Sequence, residues 1–172
     1  MGILEQLKKI ARTGKTPKEV KMGEGNGKKV LTTEEVNAYM KEQCGFVPRM
    51  FQIINTVTTE PGRTFADFYA SIFGDGALSR KVKELMFMAG GVGYCSPRCI
   101  IHVIPAINAG ATTGEIFEAA SVGMILGGFV PGGPGIPYAF EYALKCLDIE
   151  AKYRKGESWE YLPQPKFDHG VY

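Results

Sequence analysis

The sequence predicts an all-α protein, a single-domain bundle of about eight helices. Apolar residues recur at the three- and four-residue spacing of amphipathic helices, as at Ile3, Leu7 and Ile10. No segment alternates apolar and polar residues over more than three or four positions, as strands would. Capping residues precede most apolar segments, and glycine or proline separates them. At 172 residues the chain is long enough for one sizeable core and short for two.

The elements follow in order. Residues 3–11 predict a short amphipathic helix, and the Gly- and Lys-rich residues after it predict an irregular connector to residue 30. The later helices are predicted to begin at a capping or first-turn residue: Thr32, Pro48, Pro61, Ser79, Pro97, Thr112 and Ile136. Ends are predicted near Cys44, Gly74, Gly90, Asn108, Gly127 and Leu147. Residues 31–152 thus form the helical core, and residues 153–172 an extended aromatic tail that we expect to lie on a surface.

Composition excludes several classes of function. The formal charge is +2, and the 20 basic and 18 acidic residues are interspersed, which disfavours nucleic acid and anionic membranes as partners. Four cysteines with only one close pair do not form a secreted disulfide framework, so a reducing cytoplasm is expected. Charged residues near the N-terminus leave no signal-peptide core, and no apolar run approaches the length of a membrane span.

The most informative segment places Cys95, Cys99 and His102 within eight residues. Ser96 is predicted to cap a helix whose first residue is Pro97, which puts Cys99 in the first turn. A helix N-terminus and a nearby base favour the thiolate, the form of cysteine that acts as a nucleophile or metal ligand. His102 follows Cys99 by three and shares its helix face. We therefore expect the Cys99 thiol to titrate below its ordinary value of about 8.5.

Residues 83–120 closely resemble the carboxymuconolactone decarboxylase and alkylhydroperoxidase D-like family; their sequence is KELMFMAGGVGYCSPRCIIHVIPAINAGATTGEIFEAA. Two more segments are similar to the elements that flank this region in the family: GFVPRMF at 45–51 and GGPGIPYAFEYAL at 132–144. The resemblance implies an all-helical fold and assembly into trimers or hexamers. For the branch with paired cysteines, it implies a thiol-disulfide activity in which a helix glutamate and a histidine relay protons. Glu84 and His102 match those two positions.

The cysteine spacing departs from the family pattern Cys-x-x-Cys-x-x-x-His. Cys95 and His102 fall in the expected places, but Arg98 stands where the second cysteine belongs, and Cys99 is one residue late. Helix geometry places Cα atoms four residues apart at about 6.2 Å, and a disulfide needs roughly 4.4 to 6.8 Å. A Cys95–Cys99 disulfide is therefore feasible.

These observations predict a thiol-disulfide oxidoreductase in which Cys95 and Cys99 exchange electrons and His102 and Glu84 handle protons. Arg98 either stabilises a thiolate or binds a substrate carboxylate, unless it is a surface charge, and Tyr94 is a lesser candidate for the substrate site. Each of these residues also has a structural interpretation, as a core or surface side chain, and the isolated Cys44 and Cys146 are expected in the core. No cofactor is predicted.

Other functions stay open. The family resemblance also allows a lactone decarboxylase, for which the cysteine pair is superfluous. Cys95, Cys99 and His102 could instead bind a metal or an iron–sulfur cluster, although a fourth ligand is not evident. The expected partners are copies of the same chain, in a trimer or hexamer, and a small disulfide, dithiol or peroxide substrate with an unidentified electron donor.

Overall fold

The computed structural model describes residues 30–97, 100–129 and 131–159. This part of the chain contains seven α-helices, one 3-10 helix and no strand, which confirms the predicted all-α class. The α-helices are α1 (Thr33–Cys44), α2 (Arg49–Ile54), α3 (Glu60–Phe73), α4 (Arg80–Gly93), α5 (Val103–Asn108), α6 (Thr113–Phe129) and α7 (Ile136–Lys155), and the 3-10 helix is Ile100–His102.

All of these helices belong to one compact unit, which begins at Leu31. The predicted helix at residues 3–11, the connector after it and the tail from residue 160 lie outside the described residues. In the part that is described, no helix combines the length and the apolar character that crossing a bilayer requires.

Three predicted caps are present. Thr32 and Glu35 form the capping box of α1, and the Ser79 hydroxyl accepts a hydrogen bond from the Val82 amide at the start of α4. At α6, the Glu115 carboxylate accepts from the Thr112 amide at 2.8 Å, and the Thr112 hydroxyl accepts from the Glu115 amide. These bonds satisfy amides that have no partner within their own helix, and they fix where each helix begins.

The helices surround two apolar clusters. The first apolar cluster is formed by α1, α2 and α3 and contains Val36, Met40, Cys44, Phe51, Ala66, Tyr69 and Phe73. The second apolar cluster is formed by α4 to α7 and includes Met88, Val92, Ile104, Ile116, Tyr142 and Ile149. Phe73 and Phe87 meet edge to face with ring centroids 5.6 Å apart, so the clusters adjoin where α3 lies against α4.

Helices α4 and α6 continue through glycines that were expected to end them. α4 extends to Gly93 rather than breaking at Gly90, and α6 extends to Phe129 through Gly127. A Cβ atom on Gly123 would lie 2.3 Å from the Ala89 carbonyl oxygen, and one on Gly127 would lie 2.9 Å from that of Gly93. These glycines let two helix backbones approach closely, and they do not act as helix breakers.

α7 is longer than the sequence predicted, because it ends at Lys155 and not near Leu147. Polar contacts hold its second half against the start of α6. The Thr113 hydroxyl donates to the Glu150 carboxylate at 2.6 Å, and Arg154 binds the same carboxylate and donates to the Ala111 carbonyl. Burial raises the pKa of Glu150, but the hydrogen bonds from Thr113 and Arg154 outweigh it and lower that pKa.

The segment around the cysteines also differs from the prediction. Ser96 and Pro97 lie outside any helix, and the chain becomes helical as a 3-10 turn at Ile100 before α5 begins at Val103. The Ser96 amide donates 2.7 Å to the Gly91 carbonyl, so this residue closes α4. Pro97 is therefore not the first helical residue that the sequence predicted, and the amide of Ile100, where the described 3-10 helix begins, donates to the Ser96 carbonyl at 3.4 Å.

Candidate active site

A buried polar cluster lies where α3, α4 and the 3-10 helix meet. Glu84, on α4, is completely buried, and its Oε2 lies 2.7 Å from Nδ1 of His102. The Tyr69 hydroxyl, on α3, lies 2.8 Å from each carboxylate oxygen and 3.1 Å from the same ring nitrogen. The structure thus brings together the two residues that the family resemblance had assigned to proton transfer, and it adds a tyrosine to them.

The charge of Glu84 is compensated inside the protein. Arg80 lies one helical turn earlier, and its Nε is 3.5 Å from Glu84 Oε1. Nη2 of the same guanidinium donates to the Gln43 carbonyl at 2.6 Å, which ties the start of α4 to the end of α1. A buried carboxylate is tolerated only when opposite charge and hydrogen-bond donors surround it, and both are present here.

Aromatic rings enclose the imidazole of His102. The ring centroids of Phe46, Tyr69, Phe73 and Phe87 lie 5.5, 5.9, 5.5 and 4.3 Å from that of His102. His102 itself is only 5% exposed. The weak screening of such an environment strengthens the interaction of the imidazole with Glu84.

The Glu84 cluster fixes which imidazole nitrogen is available for chemistry. An ionised carboxylate only accepts hydrogen bonds, so Nδ1 of His102 carries the proton that faces Glu84. Burial and the neighbouring Glu84 carboxylate raise the pKa of Tyr69, which keeps its hydroxyl protonated as a donor to that carboxylate. Nε2 is the ring nitrogen that does not face Glu84, and a carboxylate at Nδ1 is the geometry that orients a histidine for general-base chemistry at Nε2.

Cys95 occupies an unusual backbone position. Its φ of +49° is the only positive value among the described residues that are not glycine. The Cys95 amide donates to the Val92 carbonyl, and the next amide, that of Ser96, donates to Gly91, which is the Schellman arrangement at the end of a helix. Glycine normally fills this position because a Cβ atom is unfavourable there. The thiol of Cys95 is half-buried.

The electrostatic neighbours of Cys95 lie on α7 and not in the Glu84 cluster. Burial raises the pKa of the Cys95 thiol, and the ammonium group of Lys145 acts in the opposite direction. Burial likewise raises the pKa of Tyr142, and the nearby Cys95 adds to that effect. Cys95 therefore favours the thiol form more than an exposed cysteine does.

The other predicted site residues are placed as follows. Cys99 and Arg98 lie outside the described residues. Tyr94 is the C-cap residue of α4 and is 64% exposed. Cys44 and Cys146 are fully buried, and burial raises the pKa of each of these thiols to about 12. Within the described part of the chain, which does not contain Cys99, no group of three or more His, Cys, Asp or Glu side chains is arranged to hold a metal ion.

Several residues of this region were not predicted from the sequence as site residues. Arg80 could have been identified, because it stands four residues before Glu84, at the spacing of ion pairs on a helix. Tyr69 and Lys145 have no such signal. Tyr69 is far from Glu84 in the sequence, and Lys145 is far from Cys95, so no local spacing could reveal that these residues are neighbours. They join the site only through the packing of α3 and α7.

Comparison with known proteins gave one family match. The model of the carboxymuconolactone decarboxylase family matches residues 60–145, which include Tyr69, Glu84, Cys95, His102 and Lys145. Neither the comparison with curated proteins nor the comparison with solved structures gave a match.

Proposed function

Because the chain belongs to the carboxymuconolactone decarboxylase family, many of whose members are decarboxylases or peroxidase-like enzymes, we propose that it is a thiol-disulfide oxidoreductase whose redox centre is Cys95 and Cys99. The single observation that carries the proposal is the buried pair of Glu84 and His102, joined by a 2.7 Å contact at Nδ1. This contact leaves Nε2 as a base, and Cys99 precedes His102 by only three residues.

The two cysteines then have different roles. Burial favours the thiol form of Cys95, whereas Cys99 is the thiol closest in sequence to the base. When the reduced protein attacks a disulfide substrate, Cys99 is the attacking thiol and Nε2 of His102 removes its proton. The Glu84 carboxylate stabilises the imidazolium that forms. With a dithiol as reductant, its thiolate attacks Cys99 Sγ, the Cys95–Cys99 bond breaks, and the electron pair leaves on Cys95 Sγ, which takes up a proton. The second thiol of the reductant then attacks the mixed disulfide and gives up its proton, so that the reductant leaves as a cyclic disulfide and Cys99 is released as a thiol.

Thiol trapping tests the redox centre. After mild oxidation, we expect both Cys95 and Cys99 to be protected from alkylation. Dithiothreitol should restore the reactivity of both thiols, as mapped by peptide mass. The oxidised peptide pair should appear as one cross-linked species. Equal alkylation of both thiols before and after oxidation would contradict the proposal.

A substitution tests the proton-transfer pair. Glu84→Gln keeps the shape of the side chain but removes the charge that orients and stabilises the imidazolium, so turnover of a lipoyl-type disulfide should fall about a hundred-fold. The control Glu118→Gln makes the same change at an exposed position of α6 and should leave the rate unchanged. Thermal unfolding of the same samples separates a catalytic defect from a loss of structure.

A lactone decarboxylase is the second candidate, because the acid–base pair of Glu84 and His102 does not itself require a thiol. Proton transfer to or from a lactone could use the same buried imidazole. Replacing both Cys95 and Cys99 with serine distinguishes the two functions. The oxidoreductase loses its activity in that variant, whereas a decarboxylase retains turnover of a lactone substrate.

We also infer that the chain assembles with copies of itself, because α6 is apolar on both its inner and its outer side. Ile116 and Ala120 are buried in the second apolar cluster. Val122 and Phe129 are 65% and 78% exposed in the single chain, and Ile125 continues the same stripe. A helix that is hydrophobic all round is normally buried on all sides. A second copy of this face supplies the missing cover.

A further inference from the structure

Phe87 has an unusual position among the aromatic rings around His102. Its ring centroid lies 4.3 Å from that of the imidazole, nearer than the centroids of Phe46, Tyr69 and Phe73. Tyr69 and Phe73 are buried, whereas Phe87 is 45% exposed. Phe87 therefore contacts the imidazole of the proposed base and also presents an aromatic surface to the outside of the single chain.

The surface beside the Phe87 ring is open. Gly90 lies three residues later, on the same face of α4. In the described part of the chain, nothing lies within 4 Å of the position that a Cβ atom on Gly90 would occupy. On its inner side, the Phe87 ring meets that of Phe73 edge to face, with the centroids 5.6 Å apart. The ring is thus supported from within, and α4 leaves room for a further group next to it.

The cationic side chains on the same face of α4 are engaged within the protein. Nζ of Lys83, one turn before Phe87, donates to two backbone carbonyls at the end of α3, at 2.9 and 2.5 Å. The Arg80 guanidinium, two turns before Phe87, faces the Glu84 carboxylate and a carbonyl of α1. Both positive charges already have polar partners, so the surface around Phe87 favours an uncharged group over an anionic one.

We propose that Phe87 is a specificity-determining residue, whose exposed ring binds an uncharged aromatic or apolar group of the substrate next to His102. The inference rests on the proposed function and deepens it, since it names the class of disulfide or dithiol that the site accepts. A substrate group that packs on Phe87 is held beside the imidazole, because the two rings are in contact. An anionic group in the same place would lose solvation without gaining a free charge partner.

The test measures how fast two alkylating reagents react with His102, in a Cys95→Ser, Cys99→Ser background where these two thiols cannot form adducts. One reagent is the uncharged aromatic p-bromophenacyl bromide, and the other is the anionic bromoacetate. Peptide mass mapping separates His102 from His169, the other histidine of the chain. The ratio of the two rates is divided by the same ratio for N-acetylhistidine, which removes the intrinsic reactivity of the reagents. Stacking on Phe87 should make this normalised ratio roughly two to ten in favour of the aromatic reagent.

Substitutions at Phe87 assign the preference to its ring. Phe87→Ala removes the aromatic surface and should lower the normalised ratio to about one, whereas Phe87→Tyr keeps a ring and should retain the preference. Met86→Ala is the matched control, because it removes a similarly exposed apolar side chain from the same helix. Circular dichroism verifies that each variant is folded, and Phe87→Leu provides a second variant without a ring if Phe87→Ala is not.

A normalised ratio of about one before Phe87 is changed would overturn the inference, and so would an equal fall in Met86→Ala. Absence of His102 alkylation by both reagents would also overturn it, because no external group then reaches the imidazole past Phe87. Failure of the proposed function has a separate outcome. In that case, the wild-type cysteines show no joint protection after oxidation, whereas the alkylation ratio at His102 still depends on Phe87.

Discussion

At the residue scale, Cys95 combines a strained backbone with a half-buried thiol. Its φ of +49° lies in the left-handed region, where a residue with a Cβ atom costs roughly 1–2 kcal/mol. Strain of this kind is retained at positions where the side chain has a function. Glycine would close α4 with less strain, so the presence of cysteine is in keeping with a role for the thiol.

Two substitutions at this position separate strain from chemistry. Cys95→Gly relieves the strain but increases the entropy of the unfolded chain, whereas Cys95→Ala keeps the Cβ atom. We expect the glycine variant to be more stable than the alanine variant by about 0.5–1 kcal/mol, as measured by urea denaturation. Both should lose disulfide exchange completely. A glycine variant that is less stable than the alanine variant would show that the backbone at Cys95 is not strained.

The residue scale also shows how far the sequence could predict the site. Family resemblance paired Glu84 with His102, and the structure places them in contact. The resemblance could not identify Lys145 or the four aromatic rings around His102, because these come from distant segments whose packing is not encoded in any local spacing. Pro97 is not helical, contrary to the prediction, because the Ser96 amide before it still bonds to Gly91 of the preceding helix.

At the scale of elements, helix starts were more predictable than helix ends. The Thr32, Ser79 and Thr112 caps depend on side chains within three residues, so the sequence contains all the information needed. The ends of α4 and α6 depend instead on whether the glycines near them pack against the backbone of a neighbouring helix. Sequence alone treats glycine as a helix breaker, although here Gly123 allows α6 to lie against Ala89 of α4.

A pair of glycine variants tests this account of the α4–α6 interface. Gly123→Ala places a Cβ atom 2.3 Å from a backbone oxygen that cannot move without shifting α4, so it should lower the free energy of unfolding by about 1–3 kcal/mol. Gly90→Ala is the control, because nothing lies within 4 Å of its added Cβ atom. Alanine at that interior helix position should stabilise the protein by about 0.5–1 kcal/mol. Guanidinium unfolding measures both, and destabilisation by Gly90→Ala would contradict this account.

At the scale of the whole molecule, the candidate active site lies at the junction of the two apolar clusters. Tyr69 belongs to the first apolar cluster, whereas Glu84 is carried by α4, which packs in the second. The hydrogen bonds of Tyr69 to Glu84 therefore connect the two parts of the helical core. A shift of α3 against α4 would change the environment of His102, so the geometry of the proposed base depends on the packing of the whole unit.

The outer face of α6 leads to the last prediction, which concerns assembly. In solution, light scattering coupled to size exclusion should give a mass that is a multiple of 18.8 kDa. Val122→Glu puts a charge on the exposed apolar stripe, and burying it in a subunit interface without a partner is unfavourable. The variant should therefore dissociate towards 18.8 kDa. Val57→Glu makes the same change at another exposed valine, outside α6, and should leave the mass unchanged. A wild-type mass of 18.8 kDa would refute self-assembly, and an assembled Val122→Glu variant would place the interface on a different surface.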